Sequence, residues 1–550
     1  MSNIRQVEVT KRASLSANIS QLFIFLAMIL MGDNAYLNYV YSFLSLSLLI
    51  LAGIILVSDV KLNEKTVKYL ALAELFSVPA LYYYLTHDYL FLFFYIPLVL
   101  GIKFGFKKLS LVLLFGIPML FLPDKTFFGT DEIMIGYYSA YLFLHHLNPY
   151  EPSLTANVYS FYHLTKYIYR LGTPYTTGGV VTNLNYPSLF FLIQIPAVLL
   201  KISPNYTILL FYLLTGVLMY FYTNELTFLL FISAYLLNYN YLYYPLGGVD
   251  DIIWVFFALM SMVVKDVRLK GIFYGLSISY KQDPLALLPF YLFQLKKDRL
   301  KFLLYSLVTF LIINSYFIIL SPLTYFEDVM APIKSSMLQI GYGIDLLSFT
   351  DLYYLYPLFF LLSPIIIVIA GLIIGRKKWN GVIYFAFLFF YRVLWNYLMY
   401  WPFFSYVQKE EEGKVDKKKK TVVITLTVLS LLVLGLVFHF AYLSYSNAIH
   451  MKVLKVFEKD DYIYGFLLNV TYLGKGEIKP LFRILTSEAM ISGNGLLWKS
   501  NATILKSGES EIVYIYAPCN YLYVKIVKNE VVEINAYYSD YQGFVKLTLQ

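Results

Sequence analysis

The chain has 550 residues, of which 59% are hydrophobic, 19% aromatic and only 14% charged, with a formal net charge of +9. Roughly a quarter of the residues in an ordinary soluble domain are charged, so this chain lacks the material for a water-facing surface, and its aromatic content excludes disorder. What remains is a polytopic membrane protein, in which an excess of 43 Lys+Arg over 34 Asp+Glu marks cytoplasmic loops and not nucleic-acid binding.

Arg5, Lys11 and Arg12 precede an apolar run at about residues 19–31. No small-residue cleavage site follows cleanly, so the run is predicted to be a short first span with its N-terminus inside. Further runs lie at about 37–57, 69–86, 88–102 and 109–122, and lysines 61, 65, 68, 103, 107 and 108 follow the even-numbered ones. That placement fits an N-inside start and leaves Pro123 on the outer side.

Residues 123–186 hold PDKTFFGTDE, NPYEPS and YTTGG and no uninterrupted run of spanning length. They are predicted to form a long outer loop, with amphipathic helices near 133–147 and 157–170 lying on the membrane surface. Eleven apolar runs then follow between 187 and 443, several shorter than the roughly 20 residues of a straight span. Basic clusters at 296–301, 376–378 and 409–420 pin loops inside. Sixteen runs would return the C-terminus inside, yet these clusters send the last span, 421–443, outward. One run between 187 and 264 therefore does not cross, which leaves about 13–15 spans.

From residue 446 the texture turns β-rich, as in EIVYIYA (511–517), YLYVKIV (521–527) and FVKLTLQ (544–550). A small β-sandwich on the outer face is expected over 446–550, with sequons at Asn469 and Asn501. The single cysteine, Cys519, cannot form an intrachain disulfide.

Gly129-Thr130-Asp131-Glu132 puts two carboxylates just beyond the fifth span. Carboxylates at a membrane boundary serve as a general base for a hydroxyl, as ligands of a divalent cation such as Mg or Mn, or simply as interfacial charge. Tyr137 and Tyr141 follow at helical spacing, then His145, His146 and Asn148-Pro149-Tyr150. Asn185-Tyr186-Pro187-Ser188-Leu189 leads the chain back into the bilayer, and Gly247-Gly248-Val249-Asp250-Asp251 comes later. Gly275 begins a stretch that runs through Lys281 and Pro284 to Pro289. His145, His146 and His163 have no tetrahedral spacing and no nearby cysteine, so zinc is not expected. Arg392 and Lys281 both fall at outer-facing turns, and an ionisable residue at membrane depth is a functional candidate.

The order and spacing of GTDE (129–132), NPY (148–150), YPSL (186–189), GGVDD (247–251) and GLSISYKQDPLALLP (275–289) resemble the GT-C superfamily of integral-membrane glycosyltransferases over about residues 120–410. Two features depart from its pattern: five predicted spans precede the acidic loop where one is usual, and Ser188 stands where a second proline is usual. The resemblance implies a polytopic helical bundle and sugar transfer from a polyprenyl-phosphate donor to a glycan, lipid or protein acceptor at the outer face, with inversion. It implies Asp131 as base, with Glu132 as its alternative or support, and Arg392 and Lys281 as ligands of the lipid phosphate. Asp250, Asp251, Tyr137, His146 and Asn396 would bind substrate, Asp250 and Asp251 alternatively capping the next helix. A transporter or flippase of a lipid-linked or anionic solute is the rival expectation, though no internal symmetry between halves is evident.

Overall fold

The computed structural model describes residues 2–32, 34–58, 60–121, 129–165, 168–334, 336–374, 378–408, 417–488 and 493–549. The predicted loop residues 123–128, the basic residues Arg376 and Lys377, the charged stretch 409–416 and the side chains of Arg5, Lys11 and Arg12 lie outside the described residues.

Helices fill the chain up to Ser446 and strands follow from Ile449. Among the described residues, six helices are long and apolar enough to cross a membrane: Ala13–Met31, Tyr39–Val57, Asn205–Tyr222, Lys296–Leu320, Pro357–Ile374 and Lys418–Ser446. They mark a membrane protein. The last one leaves Leu426, Leu429, Leu432, Val433 and Phe440 exposed along its length, as a helix facing lipid requires.

Several expected spans come out in pieces. The run at 187–200 becomes two short helices, Leu189–Leu192 and Ile195–Leu200, and the run at 397–407 becomes Trp395–Met399 and Phe403–Val407. The run at 284–295 is a 3-10 turn, Asp283–Leu287, followed by Leu288–Gln294. Prolines stand at these breaks, at positions 196, 284, 289 and 402, where a missing N–H and the ring interrupt the helical ladder. Of these pieces Trp395–Met399 and Phe403–Val407 are largely buried, and broken helices are tolerated at membrane depth where protein covers them.

The predicted helix near 133–147 is present as Asp131–Leu144, but it does not lie on a surface. Ile133, Met134, Ile135, Gly136, Tyr138, Ser139, Ala140 and Leu142 are all buried, and Gly136 packs so close to Phe190 that a Cβ would meet its ring at 2.6 Å. The second amphipathic helix is reduced to two single turns, Val158–Phe161 and Ile168–Leu171.

The C-terminal strands are β1 (Ile449–Lys459), β2 (Tyr462–Tyr472), β3 (Glu477–Ile478), β4 (Leu481–Thr486), β5 (Leu496–Ser500), β6 (Leu505–Lys506), β7 (Ser510–Tyr516), β8 (Val524–Lys525), β9 (Val531–Tyr538) and β10 (Tyr541–Thr548). They form one antiparallel sheet in the order β1-β2-β7-β5-β4-β9-β10, with β8 on β2, beside a small β3-β6 pair. The expected two-layer sandwich is thus a single sheet curled into a nearly closed barrel. Its edges meet where Ala448 N–H donates to the Gln542 carbonyl at 3.2 Å. Gly543 permits the approach, since a Cβ there would fall 1.6 Å from the Ile449 carbonyl oxygen. Alternation produces the barrel core: Phe466, Leu468 and Val470 of β2 are buried along with Val513 and Ile515 of β7.

Candidate active site

Thr130 caps the Asp131–Leu144 helix, its Oγ1 accepting the Ile133 N–H at 3.4 Å. The same hydroxyl donates to the Gly248 carbonyl at 2.9 Å, and Gly129 N–H donates to the Gly247 carbonyl at 2.9 Å. A Cβ on Gly129 would lie 2.1 Å from that carbonyl oxygen, so only glycine allows the two segments to touch. GTDE is in this way bound edge to edge with GGVDD.

Successive helical side chains diverge by about 100°, and the two carboxylates of the first turn face different neighbours. Asp131 accepts the Thr173 N–H at 2.7 Å and the Glu132 N–H at 3.0 Å, and it lies in the field of Arg392. Burial pushes its carboxyl above the ordinary value of 3.8, against the lowering effect of the Thr173 bonds. Glu132 turns the other way and accepts from Lys281 Nζ at 2.6 Å.

Lys281 follows the Val267–Tyr280 helix and is 2% exposed. Besides Glu132 it contacts Asp251 at 2.9 Å and Asp250 at 3.8 Å, and it sits 5.3 Å from the centre of the Tyr186 ring. Asp251 also accepts from Trp254 Nε1 at 2.8 Å and from the Asn396 amide. Both Asp250 oxygens are buried and make no close hydrogen bond among the described residues. Neither aspartate caps the following helix with its side chain. The structure therefore gathers Glu132, Asp250, Asp251, Lys281 and Asn396 into one buried cluster.

Arg392 stands apart from that cluster. Its Nη1 donates to the Leu338 carbonyl and to Asn494 Oδ1, the latter at 3.2 Å. The two cations expected to share a phosphate are thus in different surroundings. Among the described residues, three carboxylates enclose Lys281, while the acceptors of Arg392 are neutral. Two expected substrate ligands are not brought in at all. Tyr137 packs against Tyr162, and His146 is exposed past the far end of the Asp131–Leu144 helix, about 22 Å along the axis at 1.5 Å per residue.

Among the described residues the carboxylate set able to hold a metal is Glu132, Asp250 and Asp251, whose ligand atoms lie within 4.8 Å of one another. Asp131 is not part of this set. The ammonium of Lys281 already lies among these carboxylates, so the set is built around a lysine and a divalent ion would have to displace it.

Several neighbours had little or no signal in the sequence. Asp283, two residues after Lys281, joins the field of Glu132 and Asp251. Trp254 is placed by its three-residue spacing from Asp251 on a helix. Thr173 and Asn494 carry no local motif. The motif segments are tied together elsewhere too: Tyr150 hydroxyl donates to the Tyr186 carbonyl at 2.9 Å, and Gln282 donates to the Asn185 carbonyl at 2.6 Å.

No family model matches the chain, and neither does a curated protein or a solved structure.

Proposed function

We propose that the chain is a membrane glycosyltransferase of GT-C type that moves a hexose, such as mannose, from a polyprenyl-phosphate sugar to an acceptor hydroxyl at the outer face. The observation that carries this reading is convergence. GTDE, YPSL, GGVDD, the lysine of KQDP and Asn396 lie far apart in sequence and share one cluster, and Asp131 beside it lies in the field of Arg392.

In this reading Asp131 takes the proton of the acceptor hydroxyl. The hydroxyl oxygen forms a bond to the anomeric carbon from the side opposite the phosphate, and the bond from that carbon to the phosphate oxygen breaks. Polyprenyl phosphate leaves with its electron pair, and Arg392 meets the charge that develops on it. Both acceptors of the guanidinium are neutral, so its positive charge is available to the phosphate. Lys281 serves instead as the internal counter-ion of Glu132 and Asp251, which hold the helix ends in register.

A transporter or flippase is the second reading. The buried Glu132–Asp250–Asp251–Lys281 cluster favours it, because paired charges at membrane depth line solute paths. One experiment separates the two. With full-length protein in lipid nanodiscs, Asp131→Asn should lower sugar transfer by about 100-fold or more, the worth of a general base, and leave polyprenyl-phosphate binding intact. Undiminished transfer would remove Asp131 as the base. Solute movement across vesicles without any sugar transfer would favour the transporter.

A further inference from the structure

The β barrel is bound to the segments that build the site. Tyr36 hydroxyl donates to the Gly493 carbonyl at 2.9 Å, fixing the stretch that leads into β5. Gly495 in that stretch has φ +79, and a Cβ on it would lie 2.8 Å from Leu485 Cδ2, so the turn depends on glycine. Between these two anchored glycines stands Asn494, whose Oδ1 accepts from Arg392 at 3.2 Å.

The residue that carries the other acceptor, Leu338, packs against Leu497 and Tyr537 of the barrel, and the carbonyl next to it in the chain is bound as well. Arg483 of β4 is 1% exposed and donates from Nη1 to the Gln339 carbonyl at 3.2 Å. Its Nε donates to Asn535 at 2.8 Å, and its guanidinium lies 4.4 Å from the centre of the Phe349 ring. On the Asp131 side, Ser539 N–H donates to the Thr176 carbonyl at 3.1 Å, three residues beyond the Thr173 that binds Asp131.

We propose that the barrel is a working part of the site and that Asn494 is a positioning residue that sets the Arg392 guanidinium. The proposal rests on the reading of Arg392 as the phosphate ligand. An arginine side chain gives up much rotamer freedom when it is ordered, and holding it in place beforehand lowers the cost of binding. An amide oxygen can do this without cancelling the charge, whereas a carboxylate at 494 would form an ion pair and compete with the phosphate.

The test measures polyprenyl-phosphate affinity and thermal stability of the full-length protein in nanodiscs. Asn494→Ala should weaken binding about ten-fold, the lower end for a hydrogen bond to a charged group, with the melting temperature unchanged. Asn494→Asp should weaken it as well. In an Arg392→Ala background, Asn494→Ala should cause no further loss. Equal loss in both backgrounds, or unchanged affinity in Asn494→Ala, would overturn the proposal. Should the unmodified protein bind no polyprenyl phosphate, the phosphate reading of Arg392 fails on its own. A cryo-EM map of Asn494→Ala then decides the positioning claim: a guanidinium displaced from the Leu338 carbonyl supports it, and an unmoved one overturns it.

Discussion

Asp131 and Glu132 differ in their work because a helix turns by about 100° per residue. Asp131 meets Thr173 and the field of Arg392, and Glu132 meets Lys281. A base acts in its ionised form, so activity through Asp131 is lost as pH falls through its pKa. Burial raises that pKa above 3.8, and the acid limb of kcat/KM should therefore have its midpoint above 3.8. A midpoint at or below that value would take Asp131 out of the limb. Lys281 offers a stability prediction. Lys281→Met leaves Glu132 and Asp251 buried without their counter-ion, which costs about 3–5 kcal/mol when one partner of a buried pair is removed. The melting temperature should fall sharply; an unchanged value would mean that the cluster does not need the ammonium. That Lys281 follows the end of a helical run was legible in the sequence. Its partners were not, since Glu132 and Asp251 reach it only when three helices meet.

Two glycines four residues apart, Gly271 and Gly275, lie on one face of the Val267–Tyr280 helix. A Cβ at Gly271 would approach the Phe302 carbonyl oxygen to 2.7 Å, and one at Gly275 the Ser306 carbonyl oxygen to 2.7 Å. Small residues at this spacing let two membrane helices touch backbone to backbone, and the contact sets where Lys281 emerges at the helix end. Gly275→Leu should force the Arg299–Leu320 helix away, at about 1–3 kcal/mol for overpacking, and lower both the melting temperature and sugar transfer. Unaltered values for both would show that the helices can separate without consequence. Apolar runs located most helices correctly. They did not show which runs would be long helices and which short pieces, because hydrophobicity alone does not distinguish a straight span from a short helix buried by its neighbours. The prolines at 196, 284, 289 and 402 were the visible clue to those breaks.

For the molecule as a whole, the barrel is joined to the segments that carry Arg392 and bind Asp131 through Tyr36, Arg483, Asn494 and Ser539. If transfer occurs at the outer face, the barrel must also be outside. Cys519 is the only cysteine, so a Cys519→Ser protein carrying Lys506→Cys at an exposed strand position has a single label site. A membrane-impermeant maleimide should label it on intact cells. Protection until lysis would put the barrel inside and reverse the topology.

Composition and apolar runs alone determined that the chain lies in a membrane, that a β domain follows residue 446, and that Asp131, Glu132, Asp250, Asp251, Lys281 and Arg392 merit attention among so few charges. Those are local properties, because the cost of placing a charge or a polar strand in lipid depends on the residue itself. Only the tertiary structure decided which charges meet. It gave Lys281 to the carboxylates, left Arg392 with neutral acceptors, set His146 far away, and closed the strands into a barrel where a sandwich was expected. Each of these outcomes depends on contacts between distant segments, and no local pattern encodes the partner that a side chain or a sheet edge finds after folding.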